Sequence, residues 1–335
     1  MGAAASDLRA SVIVLGYRGL RFLPGCLASV LDQTLPRGDY EVIYADNASP
    51  DASLAYVRDS FPDVRIVPFD RNHGYARGYN LAVEQARGAV LVLLNQDTVV
   101  HRRWLEELLR PFADERAVIA HPAVVTPWRA EFAVREREAP VPGDMMELSR
   151  LGYVRYRPQS GSRTSTLYAA GCSLAVRRSW IVERGRLFEE SFHSYAEDME
   201  LALAARCQGR DVVYVPAAVV YHEHSLDSSW TPAAARKTVR IIRNRLLAFY
   251  LHSTTLELPA LIPLTLIGAP GNSSEFGLTG WRRVVAGAAL VPAAAIALPA
   301  FLVAAMSARG RRGANLRRRT RGRFWLAGEV LRRPF

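Results

Sequence analysis

Along the first hundred residues, short apolar runs rich in β-branched side chains alternate with segments whose apolar positions recur every three or four residues. Residues 11–15 (SVIVL) read as a strand buried on both faces, and the next stretch sets Leu20, Leu23, Leu27, Val30 and Leu31 on one helical stripe. YEVIYAD (40–46) repeats the strand pattern and runs into a polar turn, after which Ser49-Pro50-Asp51 opens a helix over SLAYVRDSF. VRIVPF (64–69) is a third strand, and NHGYARGYNLAVEQARG (72–88) is a glycine-bearing loop leading into a helix. AVLVLL (89–94) is a fourth strand, broken abruptly by Asn95-Gln96-Asp97 before a helix in HRRWLEELLRPF (101–112). Strands and helices alternating at this spacing predict a mostly parallel α/β sheet with right-handed crossovers.

Residues 127–166 mix charge, Pro and Gly and read as an insertion or loop region facing a substrate. TLYAAGCSLAVRRSW (166–180) resumes as a strand and a helix start. An acidic pair, Glu197-Asp198, then follows the aromatic-rich SFHSYA and opens a helix carrying Met199, Leu201, Leu203 and Ala204, before the strand VVYVPAAVVYHEH (212–224). Past Trp230 the composition changes. Residues 1–230 are read as a catalytic domain and 231–335 as a helical region with two apolar stretches, about 246–269 and 284–306. The second has 23 uncharged residues, and about 20 suffice to span a bilayer. Arg282-Arg283 before it and the Arg cluster from Arg309 onward would place the tail on the cytoplasmic side. His252 and Glu257 weaken the first leg, so the pair is expected as a membrane-associated hairpin, spanning or interfacial. The alternative is an Ala/Leu helical pair packed on the catalytic domain.

The chain of 335 residues carries a net charge of +11, and between residues 282 and 333 the only acid is Glu329. Such a tail suits an anionic membrane surface or nucleic acid. Cys26, Cys172 and Cys207 are separate and form no CxxC, as expected of buried thiols in a reducing compartment. No basic region precedes an apolar one at the start of the sequence, so no signal peptide is expected; MGAAAS matches the short, common myristoylation pattern.

Ligands of an open parallel sheet bind beyond the carboxyl ends of its strands. Those ends carry Gly16-Tyr17, Asp46-Asn47, Arg71-Asn72 and Asn95-Gln96-Asp97. Singly, Asp and Asn at such places cap turns; gathered on one edge they suggest a site. Neither GxGxxG after the first strand nor GxxxxGK[ST] occurs, so neither a dinucleotide fingerprint nor a P-loop is indicated. Asp46 suits the imide N–H of a pyrimidine base, and Asp97 suits a divalent cation that neutralises a leaving diphosphate. Asp198, at a helix start, suits a general base taking the proton of an acceptor hydroxyl; equally, Glu197 and Asp198 there complement the helix dipole.

At these residues the sequence resembles glycosyltransferase family 2, the inverting enzymes of GT-A fold, and within it the rhamnosyltransferase-like branch. The segments that carry the resemblance are SVIVLGYRGLRFLPGCLASVLDQ, EVIYADNASPDAS, NHGYARGYNLAVEQARGAVLVLLNQDT, AAGCSLAVRRSW, GRLFEESFHSYAEDMELALAARCQGRDVVYVPAAVVYHEHS and IIRNRLL, over roughly residues 10–250. The resemblance implies that Asp46 contacts the nucleotide base and that Asn95-Gln96-Asp97 stands for the family's DxD, leaving Asp97 as carboxylate ligand of a divalent metal (Mg2+ or Mn2+). It further implies that Asp198 is the catalytic base with Glu197 assisting, and that His222 or its neighbour His224 completes the metal site. Gly16, Tyr17, Asn47, Asn72, Gly74, Asn80 and Asn95 are the expected nucleotide-binding set. Tyr79 stands where many members carry Arg before the Asn of the glycine loop, and Arg71 or Arg77 would have to substitute.

The expected protein is therefore a metal-dependent glycosyltransferase of cell-envelope polysaccharide synthesis at the cytoplasmic membrane face. Its donor is a nucleoside-diphosphate sugar, dTDP-L-rhamnose or alternatively a UDP-sugar such as UDP-galactofuranose. Its acceptor is a glycan or polyprenyl-linked molecule. A non-catalytic nucleotide-binding scaffold, a nucleotidyltransferase and a nucleic-acid binder are the rivals; the last would lack aromatic platforms and recognition motifs, so no nucleic acid is expected as partner.

Overall fold

The structure is a computed structural model that describes residues 8–126, 143–158, 161–162, 166–223, 232–268 and 281–333. Four parallel strands form one half of its sheet: β1 (Ala10–Gly16), β2 (Tyr40–Asp46), β3 (Arg65–Pro68) and β4 (Val90–Asn95), in the order β3-β2-β1-β4. Helices α1 (Leu23–Leu31), α2 (Ser53–Ser60) and α3 (Gly74–Glu84) connect them. Chain order reverses at β1, which has β2 on one side and β4 on the other; such a switch point is where open α/β sheets generally bind ligands.

The second half departs from the expected mostly parallel sheet. β9 (Ser173–Arg177) lies antiparallel between β4 and β6 (Ala117–Val125), and β10 (Asp211–His222) runs parallel to β6. Short β5 (Thr98–Val100) pairs antiparallel with the end of β10. The sheet is mixed because a buried apolar run fixes burial on both faces and leaves the direction of its neighbour open. In the 127–166 stretch, 127–142 lie outside the described residues, whereas β7 (Asp144–Leu148) and β8 (Val154–Pro158) form an antiparallel hairpin attached to β6.

Alternate residues of the central strands enter two cores. Val12, Val14, Val42, Val92 and Leu94 face α1 and α4 (Trp104–Leu109), while Ile13, Ile43, Leu91 and Leu93 face α3, α5 (Arg178–Arg184) and α6 (Glu197–Cys207). Every residue of α6 is buried. Its Leu201 and Ala205 meet the sheet side, and its Met199, Leu203 and Cys207 enter a third core made with the C-terminal helices.

Those helices are α7 (Pro232–His252), α8 (Leu258–Gly268), α9 (Trp281–Ser307), α10 (Arg309–Arg317) and α11 (Trp325–Leu331). The expected apolar leg over 246–269 is two helices separated by a turn, and its polar residues explain the break. Glu257 is buried and accepts from Arg319 Nη1 and Nη2 (2.8 and 3.0 Å), from the N–H of Leu326 (2.7 Å) and from the N–H of Thr254 (2.8 Å). His252 is equally internal, 2.8 Å from Glu200. Among the described residues no single helix is long and apolar enough to cross a membrane. Pro292–Ser307 and Arg309–Arg317 pass on length and composition only as a pair bent by 66°.

Candidate active site

β1, β2 and β4 end level with one another, since Gly16 pairs with Asp46 and Leu15 with Asn95. Gln96 staples two of these ends: it accepts from Tyr17 N–H (3.0 Å) and donates through Nε2 to Tyr17 O (2.9 Å). Asp46 is buried, one carboxylate oxygen accepting from the Tyr44 hydroxyl (3.1 Å) and the other from Ser49 N–H (3.0 Å). Asn47 accepts from His73 N–H (2.8 Å) and donates to Asn72 Oδ1 (3.2 Å) and Gly74 O (3.1 Å), while Asn72 accepts from Gly74 N–H (2.8 Å). This network sets the first turn of α3 against the strand ends. Gly74 has φ +76°, and a Cβ there would lie 2.5 Å from the His193 ring, so conformation and space both call for glycine.

Asn80 stands apart from this group. Its amide accepts from Phe188 N–H (2.8 Å) and donates to Phe188 O (3.0 Å), tying α3 to the segment before α6. Tyr79, in the place of the family's Arg, is buried and donates to Leu94 O (2.9 Å), and Arg77 pairs with Glu190 at 3.2 Å.

Asp97 sits in the tight turn between β4 and β5, and His222 ends β10 opposite Thr98. Asp97 Oδ1 and His222 Nε2 lie 3.4 Å apart, and Asp97 O accepts from Glu223 N–H (3.0 Å). Burial lowers the affinity of the His222 imidazole for a proton, but neighbouring Cys172 and Asp97 outweigh it and raise its pKa. A carboxylate oxygen beside an imidazole nitrogen is a donor pair that would hold a divalent cation, the carboxylate suiting Mg2+ or Mn2+. Among the described residues no group of three or more His, Cys, Asp or Glu gathers for a metal. His224 lies outside the described residues.

The loop Tyr168–Cys172, leading into β9, joins this region to the acidic pair. Cys172 O accepts from Asn95 N–H (2.9 Å) at the end of β4. Gly171 N–H donates to Asp198 Oδ2 (3.1 Å), and so does the Tyr168 hydroxyl, at 2.5 Å. Asp198 Oδ1 accepts from Met199 N–H (2.7 Å). A Cβ on Gly171 would stand 2.6 Å from Asp198 Oδ2, so the carboxylate occupies the space a side chain would need.

The two acids differ in what holds them. Both are buried, and burial raises both pKa values. For Asp198 the rise is opposed by Tyr168, by the Met199 and Gly171 N–H groups and by the Arg245 charge. Glu197 has no comparable donors: its Oε2 is buried without a hydrogen-bond partner, and the Asp198 charge raises it further, well above the ordinary range. Of the two, Asp198 is therefore the one whose surroundings favour the ionised form, and Glu197 the one that holds a proton more tightly.

The chain reaches this pair through strained backbone. His193 (φ 60°), Tyr195 (φ 73°) and Ala196 (φ 66°) all have positive φ and none is glycine, a conformation that costs roughly 1–2 kcal/mol per residue.

Tyr168, Gly171, Arg245 and Asn244 carry no periodic signal; each acts across a long sequence separation, and only the segments AAGCS and IIRNRLL drew attention to their surroundings. Comparison with known proteins bears on the fold and the family. The solved mannosyltransferase PcManGT of Pyrobaculum calidifontis, in complex with GDP-Man and Mn2+, superposes with a TM-score of 0.53 at 18% identity, over 96% of this chain and 86% of that one. Staphylococcus aureus TarS 1–349 in complex with UDP gives 0.54 at 17% identity, over 92% and 89%. These likenesses establish the GT-A-like fold. In sequence, glycosyltransferase AglE of Haloferax volcanii is 33% identical over 99 residues, which span 29% of this chain and 33% of AglE. The chain spans no more than about a third of the length of the first curated relatives it matches. The profile described as Glycosyl transferase family 2 matches residues 11–184, from the first strand through β9 and α5; with just over half of its length inside that profile, the chain belongs to glycosyl transferase family 2.

Proposed function

We propose that the protein is an inverting glycosyltransferase that moves a sugar from a nucleoside-diphosphate donor to a hydroxyl of a glycan or polyprenyl-linked acceptor. The observation that carries this reading is Asp198: a buried carboxylate with Oδ2 fixed by two donors and Oδ1 bonded, among the described residues, only to the adjacent Met199 N–H. The acceptor oxygen attacks the anomeric carbon, the bond to the diphosphate breaks, and the nucleoside diphosphate leaves with the electron pair. The hydroxyl proton passes to Asp198 Oδ1. Asp46, Asn47, Asn72, Gly74, Asn95 and the Gly16-Tyr17 end are assigned to the nucleotide. Asp97 and His222 would hold a divalent cation, which when bound neutralises charge on the departing diphosphate. PcManGT and TarS, crystallised with GDP-Man and UDP, support a nucleotide-sugar donor of unspecified base.

The branch resemblance favours dTDP-L-rhamnose over UDP-sugars such as UDP-galactofuranose. A screen of dTDP-, UDP- and GDP-sugars with purified protein, with and without EDTA, reading nucleoside diphosphate release, tests donor and metal together. Release from UDP-sugars alone removes rhamnose, and undiminished release in EDTA removes the cation role of Asp97 and His222.

Replacing Tyr168 by Phe deletes a donor to the ionised base, so the pKa of Asp198 rises further. Because a base must be deprotonated, the acid limb of the pH–rate profile is expected to move to higher pH. An unmoved limb would sever Tyr168 from the base.

The C-terminal region supports a membrane-face location. Of nine large hydrophobic side chains exposed among the described residues, seven fall between Leu256 and Leu331. Pro292, Ile296, Pro299, Val303 and Met306 repeat on one outward face of α9, beside the Arg-rich α10. Such a face suits the headgroup–acyl boundary of an anionic leaflet at the cytoplasmic surface. Flotation with phosphatidylglycerol vesicles is expected to retain the protein. Ile296→Ser with Val303→Ser should cut binding roughly tenfold or more, each CH2 withdrawn from lipid forfeiting about 0.8 kcal/mol. Equal flotation of the variant would remove α9 as the docking face.

A further inference from the structure

The segment Phe192–Ala196 delivers the acidic pair in a conformation its own residues disfavour. Ser194 N–H donates to Phe192 O (2.6 Å), closing a three-residue turn about His193 at φ 60°, ψ −56°. Tyr195 and Ala196 follow with positive φ, and Ala196 (ψ 6°) is the residue directly before α6. Ala196 offers no side-chain cap, so the one turn bond is the segment's own only support for this geometry among the described residues.

What holds it comes from α7. Asn244 is fully buried, and its Nδ2 donates to Phe192 O (3.0 Å), Ser194 O (2.9 Å) and Tyr195 O (2.8 Å). Arg243 Nη1 fixes the amide from the other side by donating to Asn244 Oδ1 (2.6 Å), and it also donates to Ser191 O (2.7 Å). On the opposite flank His193 O accepts from the N–H groups of Tyr75 and Ala76 at the start of α3 (3.1 Å each). The strained segment is thus suspended between the nucleotide-side helix and one amide of the C-terminal region, two residues before Asp198.

We propose that Asn244 is a positioning residue for Asp198: its side-chain amide keeps residues 192–196 in the strained form that sets the carboxylate against Gly171 and Tyr168. The proposal rests on the reading of Asp198 as the base. It makes the C-terminal helical region a working part of the site and not only a membrane platform.

The test compares Asn244→Ala, Ala196→Gly and the double variant in the full chain, with Leu251→Ala as a control for destabilisation elsewhere on α7. Rates are nucleoside diphosphate release at saturating donor, and UDP and dTDP are the binding probes. Asn244→Ala is expected to lower kcat by roughly 30- to 100-fold, the scale of a misplaced catalytic group, while nucleotide affinity changes less than about threefold. Ala196→Gly removes the penalty on the left-handed conformation, so in the double variant kcat is expected to recover about tenfold over Asn244→Ala. Leu251→Ala should lower Tm without the kcat loss. Hydrogen exchange should quicken over residues 192–200 in Asn244→Ala and slow again in the double variant. Should Asn244→Ala fail to fold, Asn244→Ser, which keeps one donor, carries the same reading with a smaller loss. Full kcat in a folded Asn244 variant, or a loss equalled by Leu251→Ala and not rescued by Ala196→Gly, overturns the proposal. If Asp198→Asn also keeps full activity, it is the assignment of the base that has failed.

Discussion

Replacing Asp198 by Asn is expected to leave a folded protein that binds nucleotide normally and transfers sugar roughly a thousandfold more slowly, within the span that general-base catalysis contributes. The substitution keeps size and shape, so the packing against Gly171 persists, but an amide takes no proton from an attacking hydroxyl. Glu197 is not expected to substitute. Burial and the neighbouring charge raise its pKa well above the ordinary carboxyl range, so it holds its proton more tightly than Asp198 does, and its buried Oε2 lacks the donors that fix Asp198. In the native enzyme the rate should fall on the acid side as Asp198 protonates, and this limb should lie above the ordinary aspartate value of 3.8, since its pKa is raised. Single-turnover transfer rates and nucleotide titration, measured on the same preparation, separate the chemical loss from any binding loss. Transfer at native speed by the Asn variant would end the assignment.

The largest effect on stability is expected two residues further along α6. Glu200 is completely buried; it meets Arg184 of α5 through both oxygens (2.6 and 2.5 Å) and His252 of α7 at 2.8 Å. Removing one member of such a buried set leaves an uncompensated charge and typically costs about 3–5 kcal/mol, so Glu200→Gln should lower the free energy of unfolding at pH 7 by that amount. Burial works to raise the Glu200 pKa, but the Arg184 charge and the His252 bond outweigh it and depress it strongly. The sign follows: a depressed folded-state value contributes stability that is present above the unfolded value, here 4.5, and is lost as pH falls below it. His252, lowered chiefly by burial, acts in the same sense below its ordinary 6.5. Native stability should therefore decline from about pH 6.5 downward and more steeply below 4.5. The Gln variant should lose the steeper part. Denaturant unfolding across a range of pH from acid to neutral checks both. A variant as stable as the native chain would show that the buried Arg184–Glu200–His252 set contributes nothing net.

Much of the donor half was legible from the chain because each strand there is a short apolar run ended by a polar break. Asn95-Gln96-Asp97 stops β4 so sharply that the site edge could be read directly, and the registers of β1 with β2 and β4 bring those breaks level. The other half hid itself for physical reasons. β6 has His121 and Pro122 in its middle, β5 has three residues, and β9 carries nothing that marks it as antiparallel. The pair Glu197-Asp198 stood out by charge, whereas its supports, Tyr168 and Asn244, are ordinary residues 30 and 46 positions away from Asp198 in sequence. In the C-terminal region, apolar composition does not distinguish lipid from protein as the covering phase. Glu257 and His252, which weakened the case for a span, are internal anchors whose partners lie within the chain.

The contact between Gly171 and Asp198 also orders the substitutions a lineage of such chains is able to accept. While an aspartate occupies 198, a methyl group at 171 would approach its oxygen to 2.6 Å, so the smaller position varies only if the carboxylate shifts. A change at the acid that withdraws the oxygen releases the neighbouring site to drift. Descendants that keep the carboxylate in this place are expected to keep the bare backbone beside it.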